Sequence, residues 1–337
     1  MRSLPRLSLV IGWLVTALLV PLILNIADAQ TLRERLQARR AQSQTDAPTN
    51  QPITGPGDYR FTLQSGGIER RYRVHVPRGY DAAHPAPMVM AFHGGGGNMD
   101  FEADDSHYGL ESASDAHGFI AVFPNGVGAL GGRLATWNAG KCCGMARDQG
   151  VDDVAFVRAV VADVETKAAI DMRRVYATGM SNGGMLVQRL ACEAADVFRA
   201  VAPVAGTDNT RDCHPARPVP IIEFHARDDD HVLFDGGAGK DAFRNRSAVT
   251  EFTSVPETIS RWVRRNRCNV AARRVLDKPG AYCEVHEGCA DGATVELCVT
   301  ETGGHSWPGA GSVRADKAPA SQAISADALM WDFFTSH

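Results

Sequence analysis

The chain has 337 residues, with 35 Lys and Arg against 39 Asp and Glu, for a formal net charge of −4. That balance, with no basic block beyond short runs such as 261–267, argues against a nucleic-acid partner. The length suits one large domain with a full core once an N-terminal leader is set aside.

Arg2 and Arg6 precede an apolar run at 9–26, and Ala27-Asp28-Ala29 supplies a small-x-small site before Gln30. This pattern predicts a signal peptide over 1–29. The apolar run is also long enough for an N-terminal anchor, and only an uncleaved segment would bring the chain to a membrane. Either reading places the rest outside the cytoplasm, secreted or periplasmic. Residues 30–56 are rich in Arg, Gln, Ala, Thr and Pro and are predicted to form a flexible linker. The remaining 57–337 is the predicted catalytic domain.

Runs at 59–63 and 72–76 alternate apolar and polar residues around Ser65-Gly66-Gly67, which predicts a hairpin. Continuous apolar runs at 88–92 and 119–123 read as strands buried on both faces. Further strands are predicted at 175–178, 200–204, 219–224 and 295–300. Helical spacing marks 153–168, 184–195 and 255–265. An antiparallel opening followed by alternating strands and helices predicts an α/β fold. Its central sheet would be mostly parallel, with antiparallel N-terminal strands and helices on both faces.

All eight cysteines follow the predicted cleavage site, which reads as a disulfide framework in an exported chain. Pairing is expected within Cys142, Cys143, Cys192 and Cys213, and within Cys268, Cys283, Cys289 and Cys298. Cys142 and Cys143 are not expected to bond to each other, because adjacency strains the bridge. No Cys-x-x-Cys and no zinc-type histidine spacing occurs, so no metal is predicted.

The most informative stretch is Val175-Tyr176-Ala177-Thr178-Gly179-Met180-Ser181-Asn182-Gly183-Gly184. A strand turning sharply into a helix at Gly-x-Ser-x-Gly exposes the serine at the C-terminal edge of a sheet. The bland alternative is a turn with a solvent-facing serine. A nucleophilic serine needs a base and an acid, which in this architecture follow it in the order acid, then histidine. The strand at 219–224 runs into Asp228-Asp229-Asp230, and residues alone do not choose among the three. His305, in Gly303-Gly304-His305-Ser306-Trp307-Pro308-Gly309, lies on a shaped loop after the strand at 295–300, unlike His231, His286 or His337. The oxyanion hole would take one amide from Asn182. The other would come from the Gly94-Gly95 region of His93-Gly94-Gly95-Gly96, which follows the strand at 88–92. That loop lacks the Lys-Ser/Thr of a phosphate cradle, so no nucleotide and no other cofactor is predicted.

Several runs together resemble the secreted esterases that include polyhydroxybutyrate depolymerase-like and feruloyl esterase-like enzymes of the α/β-hydrolase superfamily. They are Val76-Pro77-Arg78-Gly79-Tyr80, His93-Gly94-Gly95, Thr136-Trp137-Asn138 with Cys142-Cys143-Gly144, and Val151-Asp152-Asp153-Val154. The serine run and Gly304-His305-Ser306-Trp307-Pro308-Gly309 complete the set. The resemblance spans about residues 72–309 and implies an α/β-hydrolase fold and ester hydrolysis through an acyl-enzyme. The family's acid follows a histidine in His-Gly-x-x-Asp; here His225-Ala226-Arg227-Asp228-Asp229 selects Asp229, with Ala226 in place of the glycine.

The implied substrates are a polyester, or feruloylated or acylated plant polysaccharide fragments. Trp137 and Trp307 are read as substrate-binding side chains that stack on an aromatic or sugar group, with core or rim packing as the alternative. About thirty residues follow His305, too few for an added polymer-binding module. Two rival classes stay open: a serine peptidase of the same fold, and a non-catalytic binding protein built on it.

Overall fold

Side chains along the buried strands alternate between two cores, and this alternation sets the architecture. In the computed structural model, Met88, Met90 and Phe92 enter one core while Val89 and Ala91 enter the other. Ile120 and Val122 part from Ala121 and Phe123 in the same way. The residues described are 52–240, 242, 251–311 and 319–337. All belong to the compact unit Thr49–His337. The leader expected at 1–29, and the linker up to residue 51, lie outside the described residues. Among the described residues, no helix is long and apolar enough to cross a membrane.

The strands are β1 (Gly57–Ser65), β2 (Ile68–Val76), β3 (Ala86–Phe92), β4 (Ile120–Pro124), β5 (Val127–Gly128), β6 (Leu134–Thr136), β7 (Ile170–Met180), β8 (Ala200–Val204), β9 (Ile221–Ala226), β10 (Arg273–Lys278), β11 (Ala281–His286) and β12 (Val295–Thr300). Ten of them form one sheet in the order β1-β2-β4-β3-β7-β8-β9-β12-β11-β10, and β5 pairs with β6 in a small ribbon. The run from β4 to β12 is parallel. The predicted N-terminal hairpin is present, with Gly66 and Gly67 at φ of 60° and 74° in its turn. A second antiparallel pair, β11 and β10, closes the other edge. The sequence reading did not predict it, because Arg273–Lys278 is nearly all polar or exposed and shows no alternation.

The helices Asp153–Glu165, Asn182–Glu193 and Val255–Arg265 cover one face. Met99–Ala103, Leu110–His117 and Ala326–Ser336 cover the other. Side-chain caps set the starts of some of them: Asp152 accepts from the Ala155 amide and Ser254 from the Glu257 amide. The fold is an α/β-hydrolase fold, as expected.

The disulfides keep the expected grouping: Cys192–Cys213, Cys268–Cys289 and Cys283–Cys298. One expectation is corrected. Cys142 and Cys143 are bridged to each other across a cis peptide that brings their Cα atoms to 3.1 Å. The expectation rested on the strain that adjacency puts on the bridge, yet the two cysteines are paired.

Candidate active site

β7 ends at Met180, and the chain turns at once into the helix Asn182–Glu193. Ser181 takes up the turn at φ 57°, ψ −117°, a conformation that side-chain-bearing residues rarely adopt. Its amide donates to the Val204 carbonyl oxygen at 2.8 Å, and its own carbonyl accepts from the Met185 amide at 2.8 Å. The turn is possible because Gly183 has no side chain: a Cβ there would lie 1.9 Å from the Phe92 carbonyl oxygen.

Ser181, Asp229 and His305 each follow a strand of the parallel run, β7, β9 and β12, at its C-terminal edge. Because β9 and β12 are neighbours in the sheet, their trailing loops meet. His305 Nε2 lies 2.8 Å from Ser181 Oγ, and His305 Nδ1 lies 2.8 Å from Asp229 Oδ2.

The three adjacent aspartates have separate partners. Asp228 Oδ1 accepts from the Gly304 amide at 2.8 Å and so holds the loop that carries His305. Asp230 Oδ1 lies 2.6 Å from His231 Nδ1. Asp229 is buried, and its Oδ1 accepts from the amides of His231 and Val232 at 2.8 and 2.9 Å. Its Oδ2 meets His305 and, at 3.3 Å, His225 Nε2. Burial alone would raise the Asp229 pKa, but His305 and His225 overcome it and hold the carboxylate well below its usual range. Asp229, Asp230 and His231 also group potential metal-ligand atoms. That donor set does not fit a cation, since both Asp229 oxygens already accept hydrogen bonds.

Gly94 and Gly95 lie against the serine turn. A Cβ on Gly94 would stand 3.6 Å from Ser181 Cβ, and one on Gly95 would stand 3.6 Å from Asn182 Cβ. Asn182 opens the helix, so its amide has no intrahelical acceptor. The glycine loop is braced by Gly96 donating to the Ala135 carbonyl oxygen at 2.7 Å and Gly97 donating to that of Gly94 at 3.0 Å. His93 fixes its start: Nδ1–H donates to the Gly94 carbonyl oxygen at 2.8 Å while Nε2 accepts from the Gly126 amide at 3.0 Å. Burial lowers the His93 pKa to about 4, which matches this neutral tautomer.

Trp137 and Trp307 are fully buried and do not line the cleft. The expectation that they stack on substrate is corrected by this burial. The Trp137 indole N–H donates to the His93 carbonyl oxygen at 2.9 Å, and that of Trp307 donates to Asp327 at 3.1 Å. Each ring found an internal acceptor, the usual condition for burying an indole.

The cleft over Ser181 measures about 500 Å³. Phe101 and Tyr108 line it together with Met180, Met185, Val232 and Phe252. His231 stacks on His305 with ring centroids 4.7 Å apart. The sequence reading missed the roles of His93, His225 and His231. Position in a motif was the only signal for the first two: His93 opens the glycine run, and His225 precedes Asp229 by four residues.

The profile of the prolyl oligopeptidase family matches residues 110–238. A protein of Nocardia uniformis subsp. tsuyamanensis, named "Putative esterase NocK", is 31% identical over 255 residues, covering 72% of this chain and 72% of that protein. The chain belongs to the feruloyl esterase-like family of esterases.

Within that family, feruloyl esterase B of Piromyces equi is 31% identical over 242 residues, 70% of this chain and 42% of that protein. Probable feruloyl esterase C of Aspergillus niger is 34% identical over 177 residues, 50% of this chain and 58% of that protein. The chain thus spans well under two thirds of the length of these two relatives. An acetyl xylan esterase from Aspergillus awamori superposes with a TM-score of 0.54 at 14% identity over 82% of this chain and 99% of that one, a likeness of fold.

Proposed function

We propose that this family member is an exported serine carboxylic-ester hydrolase acting through Ser181, His305 and Asp229, with 57–337 as its catalytic domain. The observation that carries this reading is His305, placed 2.8 Å from both Ser181 Oγ and Asp229 Oδ2. Ser181 Oγ attacks the ester carbonyl as His305 Nε2 takes its proton. The tetrahedral oxyanion is held by the Asn182 amide and the Gly94-Gly95 region. His305 then protonates the leaving alcohol, and water activated by His305 releases the acid. Asp229 accepts from Nδ1 throughout and stabilises the imidazolium. One oxyanion donor is worth about 3 kcal/mol in such a step.

Phe101 and Tyr108 form an aromatic wall in a cleft where Met180, Met185, Val232 and Phe252 face the polar groups of Asp228, Asp230 and His231. That wall supports aromatic acyl esters of plant polysaccharide fragments ahead of an aliphatic polyester. Two relatives carry the name feruloyl esterase, which favours the same class. Ser181→Ala should abolish hydrolysis of a p-nitrophenyl ester, and a fluorophosphonate should label Ser181; retained activity or an unlabelled serine overturns the reading. A panel of methyl ferulate, acetylated xylan, a 3-hydroxybutyrate oligomer and a peptide amide then fixes the substrate class. Turnover of the amide alone would favour the peptidase reading, which the match to the prolyl oligopeptidase profile keeps in play.

A further inference from the structure

His225, on β9, is fully buried and takes no proton in the steps above, yet it touches the acid that supports them. Its Nε2 lies 2.8 Å from the Val232 carbonyl oxygen and 3.3 Å from Asp229 Oδ2. A carbonyl can only accept, so Nε2 carries a proton. Its Nδ1 lies 3.6 Å from Glu223 Oε1, and neither of these two buried atoms has a hydrogen-bond partner. Glu223 is fully buried as well. Its Oε2 accepts from Gln188 Nε2 at 3.1 Å, and Gln188 Oε1 accepts from the Trp262 indole N–H at 2.6 Å. Two bare acceptors facing each other in the interior would leave both unsatisfied. A proton on one of the two atoms removes this conflict.

We propose that His225, backed by Glu223, is a positioning residue that fixes the Asp229 carboxylate toward His305 and, facing Glu223, carries a second ring proton as a buried imidazolium. This rests on the serine-hydrolase reading above. Burial opposes a charge on His225, but Asp229 and Glu223 outweigh it and push its pKa up to about 10. The charged neighbours from other elements are few. His305 reaches the same Asp229 oxygen from the loop after β12. Asp208, beyond Glu223, is paired with Arg265 at 2.8 Å and Arg261 at 3.5 Å. Arg227 packs on Phe234, whose ring meets His225 edge-on.

A cation that shares Asp229 with His305 opposes a second positive charge on His305. Removing it should relieve that opposition. His225→Gln keeps an N–H donor and removes the charge. Its acid limb of kcat/KM on a short p-nitrophenyl ester should move up by about 0.5–1 pH unit, with KM little changed. A limb that coincides with that of the parent protein overturns the proposal, whatever the loss in kcat.

A second measurement needs no variant. In the 15N-histidine-labelled protein, His225 identified through its contact with Phe234 should carry protons on both ring nitrogens at pH 8. A neutral ring there overturns the proposal. Fluorophosphonate labelling separates the two readings. An unlabelled Ser181 with a charged His225 sinks the hydrolase reading, whereas a labelled Ser181 with a neutral His225 sinks only this one.

Discussion

Asn182 and Trp137 are held together by a reciprocal pair of hydrogen bonds. The Trp137 amide donates to Asn182 Oδ1 at 2.7 Å, and Asn182 Nδ2 donates to the Trp137 carbonyl oxygen at 3.0 Å. The Trp137 indole N–H reaches the His93 carbonyl oxygen. One buried residue therefore ties the turn carrying Ser181 to the loop carrying Gly94 and Gly95, the two proposed sources of the oxyanion amides.

Trp137→Phe keeps the ring and removes the indole donor, which leaves the His93 carbonyl oxygen buried without that partner. The cost should be about 1–3 kcal/mol of stability. Because the glycine loop loses its brace, kcat should fall about tenfold with KM within about twofold, the pattern of a contact that matters in the transition state. Steady-state kinetics and a urea titration check both; an unchanged kcat rules out the strut role.

Gly183→Ala tests the turn itself. The new Cβ would stand 1.9 Å from the Phe92 carbonyl oxygen and 2.8 Å from that of His93, both backbone atoms at the edge of β3. β3 is buried at every position and has no room to retreat. The variant should lose more than about 4 kcal/mol or fail to fold. Gly237→Ala, where nothing lies within 4 Å but φ is 87°, is the comparison and should cost far less, about 1 kcal/mol. Equal midpoints for the two variants would contradict the packing argument.

How far the sequence reaches depends on whether the signal is local. Ser181 and His305 are legible because a strand, a turn and glycines lie beside each of them in the chain. The residues around Asp229 do not single it out, since Asp228 and Asp230 have the same local context; only the resemblance, through His225 four residues before it, chose it. What distinguishes them is the register of two loops that meet only when β9 and β12 pair. The burial of Trp137 was illegible for the same reason: its acceptor, the His93 carbonyl oxygen, lies 44 residues away in the chain. β10 escaped because an exposed edge strand needs no apolar alternation to form once β11 offers its free edge.

Arg70 and Asp153 form an ion pair at 2.8 Å with side-chain exposures of 2% and 0%. Asp153 Oδ2 also accepts from the Asn138 amide at 2.8 Å, which pins the chain next to Trp137. Burial raises the Asp153 pKa against the pull of Arg70, and it lowers that of Arg70 against the pull of Asp153. Breaking the pair should therefore be costly. Asp153→Ala strands the guanidinium in the core and should cost about 3–5 kcal/mol, or about 10 °C in the thermal midpoint. The double variant Arg70→Met with Asp153→Ala should recover part of that loss. No recovery would mean that Asn138, not the stranded charge, sets the cost.

Glu102 gives a prediction about pH. It is fully buried, neither carboxyl oxygen has a hydrogen-bond partner, and burial, aided by Asp327, raises its pKa to about 8. Asp327 is itself raised to about 7 by burial. The folded chain thus holds a proton on Glu102 that the unfolded chain releases near pH 4.3. Below that value the group has no effect on stability. As pH rises from there to about 8, the unfolded state is favoured progressively, because it no longer needs the proton. Glu102→Met removes the titrating group at similar volume. Its advantage in unfolding free energy over the parent protein should widen between pH 5 and pH 8, by an amount on the order of 3 kcal/mol, and its thermal midpoint with it. Asp327→Asn, which keeps an acceptor for the Trp307 indole N–H, should show the same sign over a range ending near pH 7. Midpoint differences that stay constant across this range would show that neither carboxyl titrates inside the folded protein.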